Sequence, residues 1–401
     1  MNILIADKFE KSGLDGLKAL GAAVLYEPEL KDDALAARLA ESMADVLIVR
    51  STKVTASMIE SSHLSVIIRA GAGYNTIDVA AASLLGILVS NCPGKNSQAV
   101  AELAFGLIFA CDRHIPDNVI DLRGGHWNKK KYSVSKGLYG RTLGLIGMGK
   151  ISQEMIPRAR AFGMNVIAYS RWMTPDIAAA LGIGRASTTE DLARMSDVVS
   201  IHVSLTPDTK GLVGQGFIDA MKPGAIFVNT SRAEVVNQAA LLRGVKEKGL
   251  IAGLDVFEGE PTTAEGSYSG ELQNSDHVYC THHIGASTEQ AQEAIAAETV
   301  RIVREYKLTG MVPNVVNIGK AEVATHLLVV RHLDKVGVLA HILSVLKDEG
   351  ASVQEMENIV LGGAKAAIAQ ITVDKEPSAD ALKQIKMNPN VFDASCFEIA
   401  K

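Results

Sequence analysis

The chain has 401 residues, of which 47% are hydrophobic and 21% charged, and its formal net charge at pH 7 is -5. The length allows two or three domains with separate cores, and the acidic balance gives no support to nucleic-acid binding. Four scattered cysteines without a C-x-x-C pair indicate neither a disulfide framework nor a zinc site. No apolar run reaches membrane-spanning length and the first residues lack a targeting pattern, so we expect a cytoplasmic protein without a membrane or nucleic-acid partner.

Residues 1 to about 93 alternate short apolar strands with amphipathic helices, which is typical of a doubly wound parallel sheet. The predicted strands are Asn2–Ala6, Ala23–Tyr26, Asp45–Val49, Ser65–Ile68 and Ile87–Ser90. Polar residues follow two of these strands, at Arg50-Ser51 and from Arg69 to Asn75. Ligands of open α/β sheets bind at such strand ends, although both arginines could equally be surface residues.

An apolar helix, Ser97 to Asp112, and a polar stretch through Trp127 to Lys136 come next. The helix leads towards a second α/β region and is interpreted as an interdomain connector. Trp127 fits either loop packing or a subunit contact.

The run from Thr142 to Ser152 is an apolar strand that breaks into glycines and opens into a helical pattern. Gly147 can adopt a backbone conformation that other residues avoid, and Gly149 lets the main chain approach a bulky anion. The first N–H groups of the following helix, predicted over Glu154 to Phe162, would favour a pyrophosphate. A single G-x-G is a weak signal, and Ser152 stands where the dinucleotide fingerprint has Gly or Ala.

The rest of this region strengthens the interpretation. Five further apolar strands are predicted: Asn165–Tyr169, Asp197–Val203, Ala225–Thr230, Ile251–Val256 and His277–Thr281. Helix-length patterns separate them, so the glycine loop follows the first strand of a second parallel sheet. That is the position a Rossmann dinucleotide-binding domain requires.

The last segment has the order strand, helix, strand, strand, helix, strand, which is ferredoxin-like. Its predicted elements are His326–His332, Val338–Lys347, Val353–Val360, Ala366–Val373, Ala379–Met387 and Phe392–Ile399. Few of its polar residues cluster, so a regulatory or assembly module is favoured over a second active site.

Three residues near strand ends suit hydride transfer between a nicotinamide and a 2-hydroxy acid: Arg232, Glu260 and His283. Histidine can exchange the hydroxyl proton, arginine can bind the carboxylate, and a glutamate beside the histidine favours its protonated form. Arg232 could instead pair with Glu234, Glu260 could begin a helix, and His282 with His283 could hold a metal. No third ligand is evident, so no metal is expected.

Several motifs, in chain order, resemble those of the D-isomer-specific 2-hydroxyacid dehydrogenases, in particular D-3-phosphoglycerate dehydrogenases with a C-terminal ACT domain. The motifs are Gly147-Met-Gly149, His202 to Thr209, Met221 to Gly224 with Asn229 to Arg232, Gly253 to Pro261 and His283 to Thr288. By this resemblance Arg232 holds the substrate carboxylate, Glu260 supports the histidine and His283 is the acid/base. Asp255 matches the aspartate that binds the nicotinamide carboxamide.

The resemblance implies a flavodoxin-like substrate domain, a Rossmann NAD-binding domain and an ACT domain. Their limits are residues 1–93 with a returning segment 287–315, residues 94–286, and residues 325–401. Cofactor contacts are expected from Gly147, Met148, Gly149, Lys150, Ile151, Ser170, Arg171, His202, Thr206, Asp255 and His283. Substrate contacts are expected from Arg50, Ser51, Lys53, Ala72, Gly73, Asn96 and Arg232. The active site would lie in the cleft between the first two domains.

Three departures from the family pattern affect the details. His282 replaces the proline before the catalytic histidine, and the loop from Val49 to Thr55 is about one residue shorter than usual. At the end of the second nucleotide-domain strand, Ser170-Arg171 stands where an acid binds ribose in NAD enzymes, and an arginine there can accept the 2′-phosphate of NADP. NAD is favoured slightly over NADP.

The function best supported by the resemblance is oxidation of 3-phosphoglycerate in serine biosynthesis by a homodimer or homotetramer. A hydroxypyruvate or glyoxylate reductase is the alternative within the family, and a nucleotide-sensing, corepressor-like binding protein is the alternative from another class. His332 matches a residue that binds a serine effector in some relatives, whereas Asp334, Ser352 and Val336 differ from that pattern. An amino-acid effector is therefore possible, but serine is disfavoured.

Overall fold

The computed structural model describes residues 1–261, 265–275, 277–319 and 324–399. The chain divides into two compact units, Met1–Asn317 and Ile318–Lys401. The first unit contains two parallel sheets and the second an antiparallel sheet, which confirms the predicted α/β fold with a separate C-terminal domain.

The first sheet has five parallel strands in the order β2-β1-β3-β4-β5. These are β1 Asn2–Ile5, β2 Ala23–Tyr26, β3 Val46–Val49, β4 Val66–Arg69 and β5 Leu88–Asn91. The connecting helices are α1 Lys11–Ala19, α2 Asp32–Glu41, α3 Ala56–Glu60 and α4 Val79–Leu84. Every residue of β3 is buried, as expected for a strand covered on both faces.

The second sheet has seven parallel strands in the order β12-β11-β10-β9-β6-β7-β8. These are β6 Thr142–Ile146, β7 Asn165–Tyr169, β8 Gly184–Arg185, β9 Val198–Ile201, β10 Ile226–Asn229, β11 Ile251–Leu254 and β12 Val278–Cys280. Around it lie α5 Ser97–Arg113, α6 Ile115–Arg123, α7 Lys150–Ala161, α8 Pro175–Leu181, α9 Thr189–Met195, α10 Gln215–Ala220, α11 Gln238–Lys248 and the 3-10 turns Ala233–Val235 and Glu271–Asn274. The strand order reverses between β6 and β9, and ligands of such sheets bind at this point.

The final helix of the first unit, α12 Glu289–Thr309, returns to the five-stranded sheet. Its Ile295, Ile302 and Val303 share a core with β1, β3 and β4. The chain then pairs with β5 through a bridge between Ser90 and Val315. The first sheet is thus completed by residues from both ends of this unit.

Three elements differ from the sequence prediction, and one of them is β8, a two-residue strand that was not predicted. The helix after the glycine loop begins at Lys150 rather than Glu154, because the chain enters the helix directly from Gly149. The polar stretch after α5 contains α6, whose N-cap, His114, has a left-handed conformation and whose first turn includes Pro116. None of its residues is buried, although Ile115, Val119 and Leu122 recur at helical spacing.

The second unit is an antiparallel sheet in the order β14-β15-β13-β16 covered by two helices. Its elements are β13 His326–Leu333, α13 Val338–Asp348, β14 Val353–Val360, β15 Ala366–Val373, α14 Ala379–Lys386 and β16 Val391–Glu398. This arrangement confirms the ferredoxin-like prediction. Among the helices in the described ranges, none combines the length and apolarity that crossing a membrane requires.

Candidate active site

The glycine loop between β6 and α7 has the geometry of an anion-binding turn. Gly147 has φ of 94°, and a Cβ there would lie 2.4 Å from the carbonyl oxygen of His202. Gly149 is the N-cap of α7 and faces open space, and no side chain in the described ranges caps the helix. The first N–H groups of α7 therefore remain available for a pyrophosphate. Ser152, which stands at the third fingerprint position, donates its hydroxyl to Gly147 O at 2.8 Å and thereby braces the turn.

Other predicted cofactor residues surround this loop. Met148 and Ile151 are half-buried and Lys150 is exposed. The His202 ring is buried, with Nε2 2.9 Å from Ser200 Oγ, and burial lowers its pKa to about 3. The His202 ring is therefore neutral at pH 7. Its backbone carbonyl lies against Gly147 in the glycine loop.

An ion pair stands beside the glycine loop. Arg171, one residue beyond Ser170 at the end of β7, places Nη1 2.8 Å from Asp208 Oδ2. Both side chains are largely exposed. Thr206, also exposed, belongs to the same loop as Asp208 and its N–H donates to Thr209 Oγ1 at 2.8 Å.

Asp255, buried at the end of β11, holds the loop that carries His283. Its carboxylate accepts the Thr281 hydroxyl at 2.6 Å and the N–H groups of Ile284 and Gly285, each at 2.8 Å. His283 itself has φ of 53°, a left-handed conformation that costs free energy for a residue with a side chain. The Asp255 contacts on either side of His283 offset this cost.

His283 and Glu260 lie next to each other, as predicted. His283 Nδ1 is 3.2 and 3.3 Å from the two carboxylate oxygens of Glu260. A carboxylate only accepts, so Nδ1 carries the hydrogen and Nε2 is left for a substrate. Half-exposed at 48%, the His283 side chain is accessible from solvent.

Arg232 is presented by a turn that Asn229 shapes. Asn229 Oδ1 accepts the Ser231 N–H at 3.0 Å, and its amide donates to Arg232 O at 2.9 Å. The Arg232 guanidinium donates to Ser231 O at 2.7 Å and to Asn75 Oδ1, in the loop after β4, at 3.3 Å. Burial lowers the pKa of Arg232, while Glu234 and Glu260 act in the opposite direction.

Arg69 is a site residue for which no definite role was predicted. It ends β4, and its buried Nε has no hydrogen-bond partner among the described residues. Burial, followed by the positive charges of Arg232 and Arg50, lowers its pKa to about 10, so it remains cationic at neutral pH. Its position at the end of a buried strand was the sequence feature that could have identified it as a binding residue, because ligands of such sheets bind at strand ends.

Asp7 orders the loop that carries Arg50. Its Oδ2 accepts the backbone N–H of Arg50 at 2.7 Å and those of Ser51 and Thr52 at 3.0 Å. Its Oδ1 accepts the Ser51 hydroxyl at 3.0 Å. The Arg50 side chain is half-buried and the Lys53 side chain is exposed, so the shortened loop still presents two cations.

The remaining predicted substrate residues lie near these groups or at the connector. Gly73 lies against Arg232, since a Cβ there would be 2.0 Å from Arg232 Nη2. The Ala72 carbonyl accepts the Asn91 amide at 2.6 Å, and Asn96 is the N-cap of α5. His282 is exposed, and within the described ranges no three His, Cys, Asp or Glu residues are grouped to hold a metal.

In the second unit, the predicted effector residue His332 is buried. Its Nδ1 lies 2.8 Å from Leu333 O and its Nε2 3.0 Å from Asn358 Oδ1. Both ring nitrogens are therefore already engaged. Asp334, Val336 and Ser352 are exposed.

Comparisons with known proteins agree with this geometry. Residues 105–285 match the family model described as "D-isomer specific 2-hydroxyacid dehydrogenase, NAD binding domain". A D-3-phosphoglycerate dehydrogenase of Methanocaldococcus jannaschii is 39% identical over 79% of this chain and 60% of its own length. A hydroxypyruvate reductase of Thermotoga maritima is 45% identical over 64% of this chain and 82% of its own length.

The solved structure of an NAD+-bound 3-phosphoglycerate dehydrogenase from Entamoeba histolytica superposes with a TM-score of 0.66. It is 26% identical, and the match covers 80% of this chain and 99% of that one. The chain spans less than two thirds of the Methanocaldococcus relative but most of the Thermotoga relative. On these likenesses, the chain belongs to the family of D-isomer specific 2-hydroxyacid dehydrogenases.

Proposed function

We propose that the protein is an NAD-dependent dehydrogenase that interconverts 3-phosphoglycerate and 3-phosphohydroxypyruvate. The glycine loop and the N-terminus of α7 would hold the cofactor pyrophosphate, and the bound nicotinamide would supply hydride transfer. Asp255 fixes the His283 loop, and the same carboxylate is a candidate to orient the carboxamide. The related NAD+-bound phosphoglycerate dehydrogenase supports this assignment.

His283 performs the proton transfer in this proposal. During oxidation, Nε2 takes the hydroxyl proton, and Glu260, 3.2 Å from Nδ1, stabilises the resulting imidazolium. During reduction, the same nitrogen returns the proton to the carbonyl oxygen. Arg232 binds the substrate carboxylate through the hydrogens that its contacts with Ser231 and Asn75 leave free.

The observation that carries the substrate assignment is the grouping of Arg50, Arg69 and Arg232. Burial is the main cause of the lowered pKa of Arg69, and the positive charges of Arg232 and Arg50 add to it. The buried Nε of Arg69 has no partner among the described residues. A substrate with a carboxylate at one end and a phosphate at the other would relieve this repulsion. A monoanionic 2-hydroxy acid would leave part of it uncompensated.

A substrate panel tests the proposal. The purified chain should reduce 3-phosphohydroxypyruvate with NADH at a higher kcat/KM than hydroxypyruvate or glyoxylate. The second candidate function is hydroxypyruvate reduction, which is supported by the likeness to the Thermotoga hydroxypyruvate reductase. Equal or better turnover of hydroxypyruvate would make this second function the assignment. No turnover of any of these acids, with cofactor binding retained, would favour the corepressor-like alternative.

The domain and assembly predictions belong to this proposal. The packing of α12 on the first sheet supports a substrate domain built from residues 1–93 and 287–315. Exposed apolar side chains after α5 support a homodimer or homotetramer: Ile120, Leu122, Trp127, Val134 and Tyr139. Light scattering of the purified chain measures the subunit number.

The two ring nitrogens of His332 are already engaged, which does not favour serine as an effector. Calorimetry with amino acids would test this.

A further inference from the structure

The ion pair between Arg171 and Asp208 spans the cofactor end of the second sheet. Arg171 follows β7 and Asp208 lies in the loop after β9. In the sheet, β6 lies between these two strands. The glycine loop that follows β6 therefore begins between the loops that carry Arg171 and Asp208. The 2.8 Å contact therefore connects the two sides of the region where the dinucleotide is proposed to bind.

The position of Asp208 is determined by its own loop. Thr209 Oγ1 donates to Ser204 O at 2.6 Å, and the Lys210 N–H donates to Thr206 O at 3.0 Å. These bonds close a turn on both sides of Asp208. The side chains of Asp208 and Arg171 are 69% and 59% exposed, and such exposed pairs add little to fold stability. The side chains of the pair are therefore accessible to a ligand.

An acid at the end of the second strand accepts the ribose hydroxyls of NAD in Rossmann domains, whereas an arginine there accepts the 2′-phosphate of NADP. Here that strand, β7, is followed by Ser170-Arg171. We propose that Asp208 supplies the missing carboxylate from the neighbouring loop and is a specificity-determining residue. Placed at the ribose by Arg171, it accepts the hydroxyls of NAD and repels the 2′-phosphate of NADP. The inference rests on the dinucleotide role proposed above.

Calorimetry of the full chain with NADH and with NADPH tests the proposal without any 2-hydroxy acid. The wild-type chain should bind NADH more tightly than NADPH. Asp208→Asn keeps the shape of the side chain but removes the charge that opposes the phosphate and frees Arg171. It should tighten NADPH binding about 10-fold, because it removes a negative charge that lies a few ångströms from the phosphate in water. It should weaken NADH binding a few-fold, because the ribose hydroxyls lose a charged acceptor.

Two further variants make the result specific. Asp191→Asn removes the same charge from another exposed ion pair of this domain, 2.6 Å from Arg194 on α9, and should alter neither affinity. Arg171→Ala should weaken NADPH binding much more than NADH binding, because Asp208 then faces the phosphate alone. Added to Asp208→Asn, it should abolish the gain in NADPH affinity.

The proposal is overturned if Asp208→Asn leaves the ratio of the two dissociation constants within about twofold of wild type, or changes both constants equally. Tighter wild-type binding of NADPH would overturn it as well. If neither cofactor binds, the proposed function fails together with the selectivity proposal. Cofactor selectivity without turnover of the phosphorylated substrate would contradict only the substrate assignment.

Discussion

At the scale of single residues, the conformation of His283 is the clearest link between structure and chemistry. Its φ of 53° places a non-glycine residue in the left-handed region, which points the ring towards Glu260. Asp255 stabilises this conformation through N–H groups of the two following residues. The motif predicted which residues would meet, but it gave no sign of the backbone conformation that brings them together.

The first prediction concerns the acid/base. His283→Asn should lower kcat by about 10²-fold or more, because asparagine cannot exchange a proton with the substrate hydroxyl. The dissociation constant of NADH, measured by calorimetry, should stay nearly unchanged. His282→Asn is the matched control, since its exposed side chain should be replaceable with little effect. Near-normal kcat in His283→Asn at neutral pH would disprove the assignment.

The second prediction concerns Asp255. Asp255→Asn replaces one accepting oxygen by an NH2 group that faces an N–H donor, so at least one of the bonds at 2.8 Å must break. The free energy of unfolding should fall by about 1–3 kcal/mol and kcat should fall with it, because the His283 loop loses its anchor. Chemical denaturation and steady-state kinetics measure the two effects. Asp219→Asn, an exposed change on α10, should show neither.

At the scale of elements, all the parallel strands except the two-residue β8 were predicted within one or two residues, since buried strands are continuous apolar runs bounded by polar turns. The same logic did not identify α6, although Ile115, Val119 and Leu122 recur at helical spacing, and none of these side chains is buried. It also could not detect the contacts of Asp7 with the loop after β3 or of Asp208 with Arg171. These contacts join residues that are distant along the chain, and no periodicity or motif relates them.

The third prediction concerns the anchoring of α12 by Glu298. This buried carboxylate accepts bonds from Arg301 at 2.6 Å and from Asn314 at 2.8 Å, and pairs with Lys95 at 3.3 Å. These contacts, that of Arg301 foremost, lower its pKa from 4.5 to about 2. Because the folded pKa is the lower one, the stabilisation is complete above about pH 4.5 and is lost as the pH falls towards 2.

Glu298→Gln should therefore lower the free energy of unfolding at pH 7 by up to about 3 kcal/mol. Its denaturation curves should also depend less on pH between about 4.5 and 2 than those of the wild-type chain. Glu247→Gln, an exposed glutamate on α11, is the control for loss of one negative charge. Equal pH dependence in wild type and Glu298→Gln would show that the anchoring contacts do not stabilise the fold.

At the scale of the first unit, the proposed site combines residues from both parallel sheets. Arg50 follows β3 and Arg69 ends β4 of the first sheet, whereas Arg232 and His283 follow strands of the second. The 3.3 Å contact between Arg232 and Asn75 joins the two groups. A substrate with two anionic ends would therefore bind cations that are presented by both sheets.

The last prediction separates this two-ended recognition from simple carboxylate binding. Arg50→Ala removes a cation from the group near Arg69 but leaves Arg232 and His283 in place. A charge-assisted contact with a phosphate contributes about 1.5–3 kcal/mol, or roughly 10- to 100-fold in binding. KM for 3-phosphohydroxypyruvate should therefore rise by that factor, while KM for hydroxypyruvate stays nearly unchanged.

The comparison is internal, because the two substrates share the carboxylate and the reacting carbonyl and differ at the phosphate. Lys18→Ala, which removes one exposed positive charge from α1, should affect neither KM and so accounts for the change in net charge. If Arg50→Ala weakens both substrates equally, Arg50 shapes the loop rather than binding the phosphate. Hydroxypyruvate reduction would then become the better assignment, because that reaction needs a cation only at the carboxylate end.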